Sequence, residues 1–455
     1  MEKTDVNYKF LNKINLFLLF SILLLAGAAQ QASAATWTVT KLADTNDNVC
    51  NGDCSLREAV AVAQNGDAIT FQPALAGGTI TLALDSITIK KSLTITGIDN
   101  LKISGANKYR IFSVINGAHA VMKNLDLGYG YMDSRQQPWI GVGGAIAVYW
   151  SSLSLDDCYI HNNKAYTSGG AVWAYESVIS IKNSLIAANS APYGGGGLNV
   201  EYSRVGISNT KFNLNSSAPN GNGGAIYLRD GNLEMTDSSI YRSSAKIGGA
   251  MCLVQSIDSN FTIRNSAIFN NGAEIAGGIY NGGKLNLINS TLSSNHATAG
   301  SGGALSNHNY AFLRNVTMTL NTASGDAGAI DSVAGDVNFG NTIVAGNSTA
   351  NNFSPNLKGN VTSAGYNVVG PSVSAVFWGD QTGNQFNVAD PMLNPLAYNG
   401  GASMNHLPKV GSPVIDAGSI LLATDEFGSS LPFDQRGLNR IFGNTVDVGA
   451  VEASN

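Results

Sequence analysis

GGAIAVYWSSLSLDDCYIHNNKAYTS from Gly143 to Ser168, followed at once by GGAVWAYESVISIKNSLIAANSAPYG from Gly169 to Gly194, sets out the unit of this chain. Each copy opens on a Gly-Gly step, runs through alternating apolar residues and closes on an Asn-bearing turn. The step returns at 195 (GGGL), 223 (GGAI), 248 (GGAM), 277 (GGIY), 302 (GGAL) and 327 (AGAI), so the spacings are 26, 26, 28, 25, 29, 25 and 25 residues. A period of this length made of strand-like segments indicates a solenoid, in which one turn cannot bury its own apolar face and successive turns must stack.

Three columns run down the aligned repeats. Leu153, Ile179, Val205, Leu233, Phe261, Leu285, Ala311 and Val337 form the first. Leu155, Ile181, Ile207, Met235, Ile263, Leu287, Leu313 and Phe339 form the second, and Ile160, Ile186, Phe212, Ile240, Ile268, Leu292, Met318 and Val344 the third. The alternation is the period-2 signature of a strand with one apolar face. Stacked at the strand spacing of about 4.8 Å, each column becomes a continuous ladder. The expected fold is an all-β, right-handed parallel β-helix, the hand following from the rule for parallel crossovers. Asn163, Asn189, Asn215, Ser243, Asn271, Asn295, Asn321 and Asn347 occupy the turn, where Asn tolerates the left-handed backbone region and its amide can bond the Asn of the next turn. This Asn ladder reads as structural.

Shorter coils precede the regular repeats, at TITLAL from Thr79, ITIKKSLTITG from Ile87, LKISG from Leu101 and VMKNLDLGYG from Val121. Including them gives about 11 coils and a rod on the order of 50 Å long. In CSLREAVAVAQNGD from Cys54, Ser55 and Glu58 form a capping box, and Leu56, Ala59, Val60 and Ala63 share one helical face. Such a helix can cap the open end of the solenoid, hiding strand edges and core. The expected organisation is a leader at 1–34, an N-terminal cap at 35–72, the β-helix at 73–347 with regular repeats at 143–347, and terminal coils with a C-terminal cap at 348–455.

Residues 1–34 read as a secretory signal, with Lys3, Lys9 and Lys13 ahead of an apolar run from Leu16 to Gly27 and then Ala32-Ser33-Ala34. The run is too short to span a bilayer, and no later stretch approaches the about 18 apolar residues of a transmembrane segment. Its removal takes Lys+Arg from 26 to 23 and Asp+Glu from 31 to 29, leaving a mature net charge of about −6. A mildly acidic chain with 13% charged residues argues against nucleic acid as a partner. In an exported protein, Cys50 and Cys54 are most simply a local disulfide, while Cys158 and Cys252 fall on different coils and columns and read as unpaired. Asp44-x-Asn46-x-Asn48 resembles the start of a calcium loop, but Val49 stands where a glycine belongs and Ser55 where a bidentate Glu belongs, so a disulfide-stapled polar turn is the competing reading.

Three resemblances add to this reading. The GGA[IV] step with Phe269-Asn270-Asn271 behind Ile268 resembles the repeats of polymorphic outer-membrane proteins over about residues 143–347, without the alternating segments of an autotransporter barrel after them. CSLREA at 54–59 resembles the CSLREA domain of secreted and surface bacterial β-helix proteins, which implies location and capping and no chemistry. DPMLNPLAYNGGASMNHLPKVGSPVIDAG from Asp390, with DQRG at 434 and DVGAVE at 447, is similar to the C-terminal region of choice-of-anchor Q surface proteins. Within it, Asp416, Asp434, Arg436 and Asp447 suggest an internal ion pair before they suggest a catalytic cluster.

β-Helices carry lyases, hydrolases and adhesins alike, so function must be argued from a site. A hydrolase needs two carboxylates across a groove. Asp156-Asp157 is the only Asp-Asp pair, and Asp157 aligns with Asn183, Asn209 and Asn265 of a structural column. A lyase needs a base and a group to neutralise a uronate, yet His119, His161, His296, His308 and His406 are scattered, so no catalytic residues are assigned. One surface stands out. After the Gly-Gly step, the first four regular coils carry Tyr149, Trp150, Trp173, Tyr175, Glu176, Glu201, Tyr202, Tyr227, Arg229 and Asp230 at outward positions. Aromatic rings beside carboxylates and a guanidinium suit sugars, whose C–H faces stack while their hydroxyls bond. Tyr149, Trp173, Tyr175, Glu201, Tyr227 and Arg229 are therefore the candidate ligand-binding residues. The competing reading has the segment 129–141 fold over these rings. Expected is a secreted or surface, adhesin-like protein whose partner is an extracellular polysaccharide or cell-surface glycan, with no metal site or cofactor beyond the calcium alternative. The alternatives are a polysaccharide lyase or glycoside hydrolase, acting for example on a uronic-acid polymer, and a purely structural rod.

Overall fold

A computed structural model describes residues 34–133, 141–254, 259–443 and 445–453. The expected leader lies outside the described residues apart from Ala34. No helix among the described residues is long and apolar enough to cross a membrane.

The architecture is the expected parallel β-helix of about 11 coils. One coil is built from the strands Ile146–Tyr149, Ser152–Asp156 and Tyr159–His161 and the short strand Lys164–Ala165. The first two strand types merge into one 24-stranded sheet, and the third forms a 12-stranded sheet. All three predicted columns stack in register, as in Leu153↔Ile179↔Val205 and Ile160↔Ile186↔Phe212. Every member is buried. At about 1.5–3 kcal/mol per buried Leu, Ile or Phe side chain, these ladders are the main favourable term holding the coils together.

Each coil bends where one residue takes a left-handed conformation. In the first regular coil these are Gly143 (φ 64°), Trp150 (φ 45°), Asp157 (φ 53°) and Asn162 (φ 53°). The two glycines of the Gly-Gly step have different duties. Gly143 supplies the positive φ, whereas at Gly144 a Cβ would stand 2.3 Å from the Gly170 carbonyl of the next coil. One repeat starts earlier than its glycines suggest. Met251 pairs with Ile279 and Ile279 with Leu305, so Ala276 (φ 57°) holds the left-handed corner and the sixth repeat begins there, not at Gly277.

The Asn ladder forms with a shift of role. The left-handed residue of the turn is the one before it, Asn162, Ala188, Leu214, Arg242, Asn270, Ser294 or Leu320. The ladder residue points inward. Asn163 donates from its backbone N–H at 3.0 Å and from Nδ2 at 2.9 Å to Asn189 Oδ1, and Asn189 does the same to Asn215. The pattern runs again through Asn271, Asn295, Asn321 and Asn347, and continues to Asn356. Ser243 interrupts it. Cys158 heads a hydroxyl ladder at the neighbouring corner, donating its N–H to Ser184 Oγ, which is followed by Thr210, Ser238, Ser266 and Ser290. Cys158 and Cys252 are both free and buried.

At the N-terminal end the helix Leu56–Val62 carries the predicted capping box of Ser55 and Glu58, and Leu56, Ala59, Val60 and Ala63 join the core. It packs on the first strand, Thr36–Val39, and Cys50 is bonded to Cys54. The Asp44 carboxylate takes Arg57 Nε at 2.7 Å and Nη2 at 2.9 Å, with the Ala83 and Leu84 amides as further donors. Burial raises the Asp44 pKa, but these donors outweigh it and hold the group below its usual value. Its lone pairs are thus directed at donors of the protein.

The C-terminal segment does more than end the rod. The last paired strand is Ser374–Asp380. From Asp390 the chain returns along the outside of earlier coils: Ser403 Oγ donates to Asn265 O at 2.8 Å, Thr291 Oγ1 to Gln435 Oε1 at 2.6 Å, and Ser419 N to Asn341 Oδ1 at 2.9 Å. Val414 and Val448 form a second small core with Ile343, Ala345 and Val368. Asp434 and Arg436 form the expected internal ion pair, 2.6 Å apart, in a buried network with Arg440, Asp447 and Glu452.

Candidate ligand-binding face

In-register stacking brings the outward residues of four coils into three adjoining columns. Tyr149, Tyr175, Glu201 and Arg229 align at the end of the strand that follows the Gly-Gly corner, with Val254 next. Two residues earlier on the same strand lie Ala147, Trp173, Asn199, Tyr227 and Cys252. The left-handed corner beyond contributes Trp150, Glu176, Tyr202 and Asp230, with φ of 45°, 44°, 50° and 52°. All six predicted residues therefore share one side of the rod.

Their rings form a stack along the rod axis. Tyr149 lies 5.5 Å from Tyr175 and 6.4 Å from Trp173 by ring centroids, nearly parallel to both, and Trp173 lies 6.1 Å from Tyr175. Trp150 leans on Tyr149 at 4.4 Å, and Tyr202 meets Tyr175 edge-on at 5.4 Å. Arg229 is ion-paired with Glu201 and has its guanidinium 5.7 Å from the Tyr202 ring centre. Trp150 Nε1 donates to Glu176 Oε2 at 2.7 Å.

The expectation that all these rings are open needs correction. Trp173 is only 8% exposed, because it packs against the Gly-Gly corner that opens its own coil, where a Cβ on Gly169 would lie 2.8 Å from Trp173 Cβ, and against the rings of Tyr149 and Tyr175. Tyr227 is half-buried in the same trough, close to Gly194. Trp150 and Tyr202 are the open rings, at 56% and 46%. Alternation marks a residue as outward but does not say what passes over it, so exposure at the corner was the signal to weigh. Of the segment that the competing reading folds over the face, Tyr131–Met132 pairs with Lys164–Ala165, and Tyr129 packs edge-on against His161. Residues 134–140 lie outside the described residues.

A hydrogen bond with Glu176 raises the Tyr175 pKa, and burial raises that of Tyr227. Burial works against the Arg229 charge, but Glu201 outweighs it and keeps the guanidinium above its usual pKa. Each of these groups is harder to deprotonate than its free counterpart.

The other candidates lie apart from this face. His161 bonds Asp126 Oδ1 at 2.8 Å and Asn162 at 2.8 Å, His308 stacks on Tyr280, and His406 is buried between Ser293 Oγ and Asn394 O. His296 bonds Thr322, and His119 begins a strand. Asp157 is a left-handed corner, and Asp156 accepts from Asn183 Nδ2 at 2.8 Å. Among the described residues, no group of three or more His, Cys, Asp and Glu side chains is placed to hold a metal ion.

No family model and no curated protein matches the sequence. Among solved structures, the chain is similar to the crystal structure of pectate lyase Pel9A, at 13% identity and a TM-score of 0.39, over 93% of this chain and 97% of that one.

Proposed function

We infer that this is a secreted or surface-exposed β-helix protein that binds an extracellular polysaccharide or cell-surface glycan through the face centred on Trp150, Tyr175, Tyr202, Glu201 and Arg229. The observation that carries this reading is the pair of open rings, Trp150 and Tyr202, flanking a stacked aromatic column beside the Glu201–Arg229 ion pair. Sugar rings stack on such platforms, and the carboxylates and guanidinium supply hydroxyl partners. The lyase alternative asks for a group that readily gives up its proton at neutral pH. On this face the groups with perturbed titration, Tyr175, Tyr227 and Arg229, move the other way.

The test is to incubate the purified chain with neutral and acidic polysaccharides, with and without calcium, and measure both retention and chain length. Binding without shortening is expected. Trp150→Ala and Tyr202→Ala should each weaken affinity by about 2- to 10-fold, the range of about 0.5–1.5 kcal/mol per aromatic contact. Shortening of any polymer would replace this reading with the enzymatic one. Absence of both binding and shortening would leave a structural rod.

A further inference from the structure

The two ends of the rod are finished differently. At the N-terminal end a helix with a capping box lies against the first strand and buries four apolar residues in the core. At the other end the solenoid stops on Ser374–Asp380, SAVFWGD, which pairs in parallel with Leu357–Gly365 on one side. Among the described residues no strand pairs with its other edge. Ala375 and Phe377 pack onto the end of the core, where Phe377 meets Phe386 at 5.0 Å. Val376 and Trp378, pointing the opposite way, are 49% and 60% exposed. A seven-residue apolar edge with no Lys, no Pro and a single charge at its end, irregular only at the left-handed Gly379 (φ 80°), lacks most of the features that keep sheet edges from pairing.

We propose that this edge is the interface of a tail-to-tail dimer, in which Ser374–Asp380 of two copies pair antiparallel about Phe377 and join the two sheets into one. The sequence of the strand is complementary to its own reverse. With Phe377 opposite Phe377 of the second copy, Val376 faces Trp378, Ala375 faces Gly379, and Asp380 faces the Ser374 hydroxyl. No like charges oppose each other. Two symmetry-related Val–Trp pairs, an aromatic against a β-branched residue, are among the favourable cross-strand combinations. The Gln381 amide, which donates to the Trp378 and Gly379 carbonyls at 3.1 and 3.3 Å, is displaced by the ladder of the second copy. The contact is isologous and the opposite ends carry the capping helix, so the assembly closes at two copies and does not continue as a filament.

Sedimentation of the purified chain across a concentration series tests this. The expected mass is twice the 47.3 kDa of one chain. V376K/W378K places ammonium groups opposite one another across the two-fold axis and should halve the mass, with the circular dichroism spectrum unchanged and an unfolding midpoint that no longer depends on protein concentration. V376K/W378E places an ammonium opposite a carboxylate and should restore the dimer. A wild-type chain that stays monomeric at every concentration, or a dimer that treats the two double variants alike, would overturn the proposal. An in-register parallel pairing would instead set like charges opposite each other in both variants.

Discussion

Replacing Asn295 by Ala should destabilise its own coil and the coil before it by about 2.5–6 kcal/mol, a figure that follows from counting partners. Asn295 is fully buried and makes four side-chain hydrogen bonds. Its Oδ1 accepts from the Asn271 backbone N–H at 3.2 Å and from Asn271 Nδ2 at 3.0 Å, and its Nδ2 donates to Ile268 O at 2.8 Å and to Asn321 Oδ1 at 3.0 Å. Three of these partners keep another bond: Asn271 Nδ2 still reaches Ile240 O, Asn321 Oδ1 still accepts the Asn295 backbone N–H, and Ile268 O faces the parallel ladder. Their loss costs about 0.5–1 kcal/mol each. The Asn271 N–H is left buried without its acceptor, which adds about 1–3 kcal/mol.

A solenoid is coupled mainly between neighbours, so the damage should be local. Denaturant midpoints alone can blur it, since a long repeat array need not unfold in one step. Hydrogen exchange supplies the address. In N295A, protection should fall most in the strands Ala267–Phe269 and Thr291–Ser293 and little in Tyr159–His161, four or more coils away. A cost below about 1 kcal/mol, or a loss of protection spread evenly along the rod, would refute the claim that the ladder ties one coil to the next.

Three further outcomes follow from the same geometry. Ser243 breaks the ladder, its hydroxyl turning to Tyr241 O at 3.4 Å, so Ser243→Asn should stabilise by about 1–2 kcal/mol by denaturant unfolding; destabilisation would mean the coil packs around the smaller side chain. Leu214 and Leu320 are exposed at φ 55° and 60°, where Asn162 and Asn270 stand in other coils, so Leu214→Asn and Leu320→Asn should each raise stability by about 0.5–1 kcal/mol. Burial pushes the Glu452 carboxyl up to about 8 despite Arg440, and raises Asp447 as well. A carboxyl that binds its proton more tightly when folded stabilises below its unfolded pKa and loses that contribution as pH rises. The C-terminal segment should therefore loosen between about pH 4.5 and 8, by at most about 1.4 kcal/mol per pH unit per proton, and Glu452→Gln should flatten the dependence of its proteolytic release on pH.

How far the sequence could be read depended on whether a feature recurs at short range. The three apolar columns were legible in full because each is an alternation repeated eight times, and the structure pairs every member with the one assigned to it. The capping box was equally plain, since four consecutive residues determine it. The sixth repeat was placed one residue late because Gly277-Gly278 matched the motif, while the conformational demand falls on Ala276. The return of residues 390–453 along the rod was not legible at all. Its contacts, such as Gln435 with Thr291 and Glu426 with Arg264, join residues 144 and 162 apart through single polar pairs that leave no period in the sequence.

The aromatic face shows the same division at the level of single side chains. Rings stacked at the coil spacing stabilise the rod whether or not anything binds, by about 0.5–1.5 kcal/mol per pair. Such pairs occur elsewhere, as Tyr241 on Phe269 at 4.9 Å and Tyr280 on His308 at 4.5 Å, with no surrounding cluster. Tyr149, Trp173 and Tyr175 spend much of their surface on one another, and packing alone accounts for them. Trp150 and Tyr202 are different, because each keeps about half its surface in water at a corner that the two other coils of this face fill with Glu176 and Asp230. Removing either ring should leave the rod nearly as stable as before, whereas Trp173→Ala should cost the rod stability first and any ligand second. A loss of glycan binding in Trp150→Ala with an unchanged unfolding midpoint would therefore separate recognition from packing, and a loss seen only in Trp173→Ala would assign the stack to the fold.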